Sequence, residues 1–277
     1  MAKGAKGATP HSGPRTLSID VGGTGLKASV LDGTGRMIVE RVRVPTPDPC
    51  PPAALLRALA SLVAPLPSSD RIAIGFPGVI RDGRVITAPH FDVKGWQDYP
   101  LAEAVSRRLG KPARLLNDAE VQGLGDIARR GVEVVLTLGT GVGSAVFGNG
   151  RLAPHIELAH HPIHKHDTYN DYIGNEARRA LGAKKWSRRV HKAIDVVYAL
   201  LNYDVLYLGG GNAAHVVLPL PDNVRLASND AGITGGVRLW DEEVWRAIED
   251  SHGRRDRKRG SATDRTRRAG SRSRRSA

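Results

Sequence analysis

Apolar and polar positions alternate with two different periods along the chain, and glycine or proline marks most of the changes. Thr16–Val21 is an apolar run of strand length, turned by Gly22-Gly23-Thr24-Gly25 into a second strand that begins over Lys27–Leu31. Met37–Val44 predicts a third strand, in which Val39 alternates with polar neighbours, and Pro45–Pro52 is a stiff connector. Ala53–Ala64 predicts a helix, because Leu55, Leu56, Leu59, Leu62 and Val63 fall on one face. There follow a strand at Arg71–Phe76, ended by Pro77-Gly78, a helix at Leu101–Leu109 and a strand at Ala113–Leu116. A helix is expected from Ala119 to about Arg130, then strands at Val132–Leu138 and Ser144–Phe147. The last third predicts helices at Tyr169–Leu181 and Lys185–Asn202, a strand at Val205–Leu208 running into Gly209-Gly210-Gly211, and a helix over Asp230–Glu249.

This succession predicts α/β architecture. The chain has 277 residues and 40% hydrophobic content, enough to bury two lobes rather than one. A second Gly-rich turn at 139–143 repeats the strand–turn–strand setting of the first. Two similar lobes facing a cleft are therefore expected, over 16–116 and 117–250.

Composition narrows the picture. No apolar run approaches the roughly 20 residues of a membrane span, and Met1–Arg15 lacks the hydrophobic stretch of a secretory signal. The single cysteine, Cys50, excludes an intrachain disulfide framework and a zinc site built mainly from cysteines. The cytoplasm is the expected compartment. The net charge of +13 is unevenly spread: 251–277 hold eleven Lys/Arg against two Asp, whereas 17–250 hold 27 Lys/Arg against 26 Asp/Glu. The body is nearly neutral, and the basic ends, 1–15 and the Arg/Ser-rich 251–277, have no apolar periodicity and are expected to be disordered. The tail reads either as a solvated segment or as a recruiter of polyanions. It lacks the interleaved aromatics that would stack on bases.

Several short segments carry candidate chemistry. In Asp20-Val21-Gly22-Gly23-Thr24-Gly25-Leu26-Lys27, a strand-end carboxylate precedes a turn almost free of side chains. Backbone N–H groups there can approach a polyanion, Thr24 and Lys27 add a hydroxyl and a charge, and Asp20 is a candidate Mg²⁺ ligand. An ordinary hairpin turn is the alternative. Leu138-Gly139-Thr140-Gly141-Val142-Gly143 is the same device again, and Gly210 and Gly211 could pack against the distal part of a phosphoryl donor. In Leu116-Asn117-Asp118-Ala119 a strand delivers Asn117 and Asp118 to its carboxyl end. Asp118 is then either a general base for a substrate hydroxyl or the N-cap of the following helix. Glu157 and His160, three residues apart on one turn, suit sugar hydroxyls, which both donate and accept, and Glu176 is a third candidate. His155, His160, His161, His164 and His166 also form a loose metal-like cluster without firm spacing.

The order of these motifs is more specific than any one of them. Asp-x-Gly-Gly-Thr, Phe-Pro-Gly at 76–78, Asn-Asp-Ala at 117–119, Leu-Gly-Thr-Gly-x-Gly at 138–143, Glu-x-x-His at 157–160 and Gly-Gly-Gly at 209–211 together resemble the ROK family of bacterial sugar kinases and repressors, and within it the polyphosphate glucokinase branch. The resemblance covers roughly Thr16 to Trp240. It implies a two-lobed actin-like ATPase (ribonuclease-H-like) fold and a hexose kinase that moves a phosphoryl group from polyphosphate or ATP to the 6-hydroxyl of glucose, with Mg²⁺. A kinase for another hexose, such as mannose or an N-acetylhexosamine, and a non-catalytic sugar-binding regulator are the alternatives. By resemblance Asp118 is the general base, and Asn117, Glu157, His160 and Glu176 bind the sugar. Gly22, Gly23, Thr24, Gly139, Thr140 and Gly141 hold phosphate. A homodimer is the expected assembly.

Three departures stand out. Residues 166–172 contain no cysteine where many members carry a zinc motif, so no structural zinc is expected. Ala159 replaces the usual glycine of Glu-x-Gly-His, and His90 or Phe91 occupies a place where relatives often carry a sugar-contacting Asn. About fifteen residues precede the first strand, too few for the helix-turn-helix domain of a repressor, so specific DNA binding is not expected.

Overall fold

The computed structural model describes residues 13–91, 94–228 and 230–251. The disorder expected for the two ends lies outside these residues, apart from 13–15 and Ser251. Arg15 is tied down: its N–H donates to the Asp70 carboxylate at 2.7 Å, and its carbonyl accepts from the Asp70 N–H.

The elements run β1 (Thr16–Val21), β2 (Gly25–Leu31), β3 (Val42–Pro45), α1 (Pro52–Val63), β4 (Arg71–Phe76), β5 (Ile80–Arg81), β6 (Arg84–Val85), α2 (Leu101–Leu109), β7 (Ala113–Asn117) and α3 (Asp118–Asp126). They continue with β8 (Val132–Leu138), β9 (Val142–Gly148), β10 (Arg151–Leu152), β11 (Pro162–His164), β12 (Asp167–Thr168), α4 (Tyr169–Ile173), α5 (Asn175–Leu201), β13 (Val205–Gly209), β14 (Val224–Leu226), α6 (Ala231–Thr234) and α7 (Glu242–Ser251).

Two five-stranded sheets share one topology. The first has the order β3-β2-β1-β4-β7 and the second β10-β9-β8-β13-β14. In each, three strands form an antiparallel meander, and two more join in parallel beside its first strand. The central strands are apolar on both faces, as parallel strands covered by helices must be: Ile19, Ile72 and Ile74 in one sheet, Val134, Leu136 and Leu208 in the other, are all fully buried. The carboxyl ends of β1 and β7 in one sheet, and of β8 and β13 in the other, border a common cleft.

Helix α3 links the two sheets. Its glycines allow close approach: a Cβ on Gly123 would strike the Phe147 ring, and one on Gly125 would lie 3.0 Å from the Ala231 carbonyl oxygen. The segment 231–240 returns to the first sheet, where the Ser18 hydroxyl donates to the Ile233 carbonyl at 2.7 Å.

The sequence-based elements need four adjustments. The third strand is short, Met37 making only a bridge to Leu31. Helix α3 stops at Asp126, because the buried Glu133 carboxylate draws the N–H groups of Ala128 and Arg130 into a loop and also accepts the Tyr207 hydroxyl. The expected helix at 169–181 divides at Gly174, and Gly182, at φ 72°, kinks the helix that follows. The single helix expected over 230–249 is instead α6, a 3₁₀ stretch at Gly235–Trp240 and α7. Gly235 lies against the Val121 carbonyl and Gly236 against Ser18, where a straight helix of ordinary residues would not fit.

This contact supplies a test. Gly235→Ala should overpack the junction of α3 with the C-terminal segment and lower the urea midpoint by an amount equivalent to about 1–3 kcal/mol. An unchanged midpoint would show that the two elements are not in close contact.

Candidate active site

The cleft between the sheets has a volume of about 620 Å³. It is lined by Asp20, Gly22, Gly23, Thr24, Lys27, Asn117, Asp118, Gly139, Thr140, Gly141, Glu157, His160, Gly210 and Gly211, residues that lie up to 191 positions apart. Every site residue singled out in the sequence is therefore in one cleft, with one exception. Glu176 is exposed and does not line it. After the break at Gly174, the first turn of α5 faces the cleft with Asn175 and Arg179 instead.

Both Gly-rich turns are built to leave donors free. The Gly22 N–H donates to the Gly25 carbonyl and the Gly139 N–H to that of Gly141, closing each turn on itself. The N–H groups of Gly23, Thr24, Thr140 and Gly141 have no protein acceptor among the described residues. Side chains fix each loop from outside: Thr46 donates to the Gly22 carbonyl at 2.6 Å, Asn212 to that of Gly139 at 2.9 Å, and Asn170 accepts from the Val142 N–H at 2.7 Å. Gly210, at φ 81°, abuts the Leu138 backbone, so a side chain there is excluded by both conformation and space. Such loops suit oxyanions held by backbone N–H groups.

The junction of β7 and α3 removes one of the two readings of Asp118, that of helix N-cap. Asn117, not Asp118, is the N-cap: its side-chain oxygen accepts from Ala119 and Glu120, and Glu120 returns a bond to the Asn117 N–H in a capping box. The Asn117 amide also donates to the Gly78 carbonyl at 3.1 Å. Much of the amide's capacity is thus used within the protein, and Asn117 fixes the junction while also lining the cleft. Asp118 is left at the cleft floor, part-exposed on that side and enclosed on the others. Burial, with the Asp20 and Glu157 charges added, raises its carboxyl to about 7.

A second carboxylate chain was not visible in the sequence. Glu120 accepts from His155 Nδ1 at 2.9 Å, and His155 Nε2 lies 3.5 Å from Glu157. Burial disfavours a charged His155, but the two carboxylates outweigh it and lift the imidazole to about 9. Burial also opposes ionisation of Glu157, and the bond from His155 overcomes it, holding that carboxyl below its ordinary value. At neutral pH the arrangement is an imidazolium between two carboxylates. Asp20 is held separately by Lys27, 2.8 Å away.

The remaining expectations separate in space. Of the two residues at the substituted position, His90 lines the cleft, touching the space beside both Gly23 and Gly141, and Phe91 is buried against Phe76 and Trp96. Among the described residues, no His, Cys, Asp or Glu side chains gather in a group that could hold a metal ion as three or more ligands. The five histidines diverge: His155 and His160 face the cleft, His161 packs on Tyr169, His164 on Tyr172, and His166 is exposed. Asn170, Asn175 and Arg179 line the cleft without having been singled out, since isolated polar residues on helices carry no motif, and Asn212, which follows the third glycine run, lines it too.

With this geometry in place, comparison with known proteins is decisive. Residues 16–163 match the ROK family. The chain belongs to the ROK family. A polyphosphate glucokinase of Mycobacterium tuberculosis is 31% identical over 244 residues, covering 80% of this chain and 89% of that protein. In structure, the inorganic polyphosphate/ATP-glucomannokinase of Arthrobacter sp. strain KM superposes with a TM-score of 0.77 at 30% identity, over 83% of this chain and 100% of that one. A ROK family glucokinase from Streptomyces griseus, solved with glucose and AMPPNP, shares the fold at a TM-score of 0.66 and 19% identity, over 81% and 98% of the two chains. The architecture is that of the actin-like ATPases. Among the described residues, no helix is long and apolar enough to cross a membrane.

The His155 cluster makes a prediction with a definite sign. An imidazole raised from 6.5 to about 9 in the fold contributes stability that is complete below pH 6.5 and disappears as pH rises through 9. Thermal melts should show this decline in the wild type and not in His155→Gln. Equal pH slopes in the two proteins would contradict the arrangement.

Proposed function

We propose that this ROK protein is a glucokinase-type phosphotransferase of the cytoplasm, transferring a phosphoryl group from polyphosphate or ATP to the 6-hydroxyl of glucose. The observation that carries this reading is the position of Asp118: a carboxylate raised to about 7, between a sugar-type hydrogen-bonding wall and two free-donor loops. The lobes over 16–116 and 117–250 would each contribute one loop, and their closure would exclude water.

Phosphoryl transfer asks for positioning and charge neutralisation more than covalent work by the protein. Glu157 and His160 hold the sugar. The Glu157 carboxylate is ionised and its direction fixed by His155, so it accepts from sugar hydroxyls rather than competing as a base. Asp118 takes the proton of the attacking hydroxyl. A carboxyl near 7 is better matched to that task than an ordinary aspartate, because its conjugate acid retains the proton at working pH. The N–H groups of Gly23, Thr24, Thr140 and Gly141 hold the transferred phosphate and its neighbour from opposite sides, and Gly210 and Gly211 accommodate the rest of the donor. Arg179 adds positive charge at the cleft wall.

The donor set also suits Mg²⁺. Asp20 is a hard carboxylate at a strand end beside the phosphate loop, with Asp118 contributing further negative charge nearby. When bound, Mg²⁺ would neutralise phosphate oxygens; Asp20 would hold it directly or through water. Two copies of the chain are the expected assembly.

A coupled assay of glucose 6-phosphate formation with separate ATP and long-chain polyphosphate donors tests the reading. Asp118→Asn should lower kcat by about 10²–10⁴-fold with little change in KM for glucose. Because ionising Asp118 costs stability as pH rises from the unfolded carboxyl range through about 7, the same variant should melt at a higher temperature than wild type at pH 8. Full activity in Asp118→Asn, or no hexose phosphorylation by folded wild type with either donor, would overturn the assignment.

A further inference from the structure

The segment 160–172 has two sides. Its inner side lines the cleft with His160 and with Asn170, which holds the second Gly-rich loop through the Val142 N–H. Its outer side meets α5. There Tyr172, two residues beyond Asn170, packs against His164 with ring centroids 5.5 Å apart. The Arg189 guanidinium lies 4.5 Å from the Tyr172 ring centre and donates to the Tyr172 carbonyl at 3.3 Å. Lys192 Nζ lies 3.3 Å from His164 Nδ1 and 5.9 Å from the same ring.

Arg189 and Lys192 belong to a row. Lys185, Arg188, Arg189 and Lys192 stand at i, i+3, i+4 and i+7, beyond the Gly182 kink, and so share one face of α5. Lys185, Arg188 and Lys192 are exposed, as is Lys165 in the adjoining turn. Among the described residues, none of these cations forms a salt bridge; the ion pairs of Lys and Arg lie elsewhere, at Lys27, Arg41, Arg84, Arg107, Arg114 and Arg238. Acids nearby are Asp167, the strand partner of His164, Asp171, whose carboxylate accepts from Thr168, and Asp195, which acts on Tyr203; none forms a salt bridge with these cations. Like charges spaced i and i+4 oppose helix formation by a few tenths of a kcal/mol per pair. A body that is nearly neutral as a whole therefore concentrates positive charge without salt-bridge partners on one helix face, one short segment away from the donor loop.

We infer that this face of α5, with His164 and Lys165, binds the part of a linear polyphosphate chain that extends beyond the cleft. The face takes its meaning from the donor role proposed above. A chain whose terminal phosphoryl lies between the Gly-rich loops would leave the cleft past Asn170 and continue over Tyr172, Arg189, Arg188 and Lys185. On this reading tripolyphosphate and ATP lie within the cleft and do not use the face. Regularly spaced cations then set affinity for long donors without touching the reacting atoms.

The test is the triple variant Lys185→Gln/Arg188→Gln/Lys192→Gln, all at exposed positions, in the full chain. Glucose phosphorylation is measured with long-chain polyphosphate, tripolyphosphate and ATP, alongside binding of fluorescently labelled long-chain polyphosphate at several salt concentrations. The variant should show KM for the long chain raised about tenfold or more, with kcat and the constants for the two short donors unchanged. Its binding should also be less steep in salt, by about two units of log–log slope if each lost cation contributes as on a single-stranded polyanion. Unchanged long-chain KM and salt slope would overturn the inference. So would a dimer-to-monomer change in the variant with polyphosphate binding intact, which would make the face a subunit contact. If wild type makes no glucose 6-phosphate from polyphosphate, yet the labelled chain binds and the variant loses it, the donor reading fails and the binding face stands.

Discussion

Three carboxylates, Asp20, Asp118 and Glu157, are brought into electrostatic range of one another at a single cleft, and the site is organised by how each is compensated. Lys27 sits on Asp20 and His155 on Glu157. Among the described residues no cation forms an ion pair with Asp118; the Ala119 N–H donates to its carboxylate at 2.9 Å, but burial and the two neighbouring charges outweigh that bond. Two of the carboxylates thereby have a cation beside them, and the third is raised toward neutrality, the range in which a carboxyl can accept and hold a proton. Environment, rather than residue type, separates the roles.

The fold makes this crowding possible. Asp20 ends β1, Asp118 follows β7, and Glu157 follows the β9–β10 hairpin of the other sheet, so no local structure could assemble the three. The repeated topology gives each sheet a Gly-rich turn at the same place, after the first strand of its meander. Two sets of free N–H groups then face one gap. Helix α3 begins in this gap and is clamped by Asn117, Glu120 and His155, which connects the start of the helix with Glu157 in one hydrogen-bonded chain.

Much of this could be read from the sequence because its determinants are local. Apolar runs ended by glycine located β1, β4, β8 and β13, the short run before Asn117-Asp118 located β7, and fourteen of the fifteen selected site residues do line the cleft. What escaped the sequence depends on distant partners. Glu120 lies in no motif and His155 read as one of several histidines, and their pairing appears only when α3 lies beside the β9–β10 hairpin. Glu176 sits one residue from the cleft-lining Asn175, a difference set by the φ/ψ break at Gly174 that composition does not reveal. The helix expected over 230–249 was divided by tertiary packing of Gly235 and Gly236, against which local propensity has no weight.

The most direct test of the central claim is a site-resolved titration. The ¹³C carboxyl resonance of Asp118, assigned by its absence from Asp118→Asn, should titrate with a midpoint of about 7 in the unliganded protein and at lower pH in Asp20→Asn, where one like charge is gone. A midpoint near the ordinary aspartate value of about 4, insensitive to Asp20, would contradict the account of how this cleft sets its base.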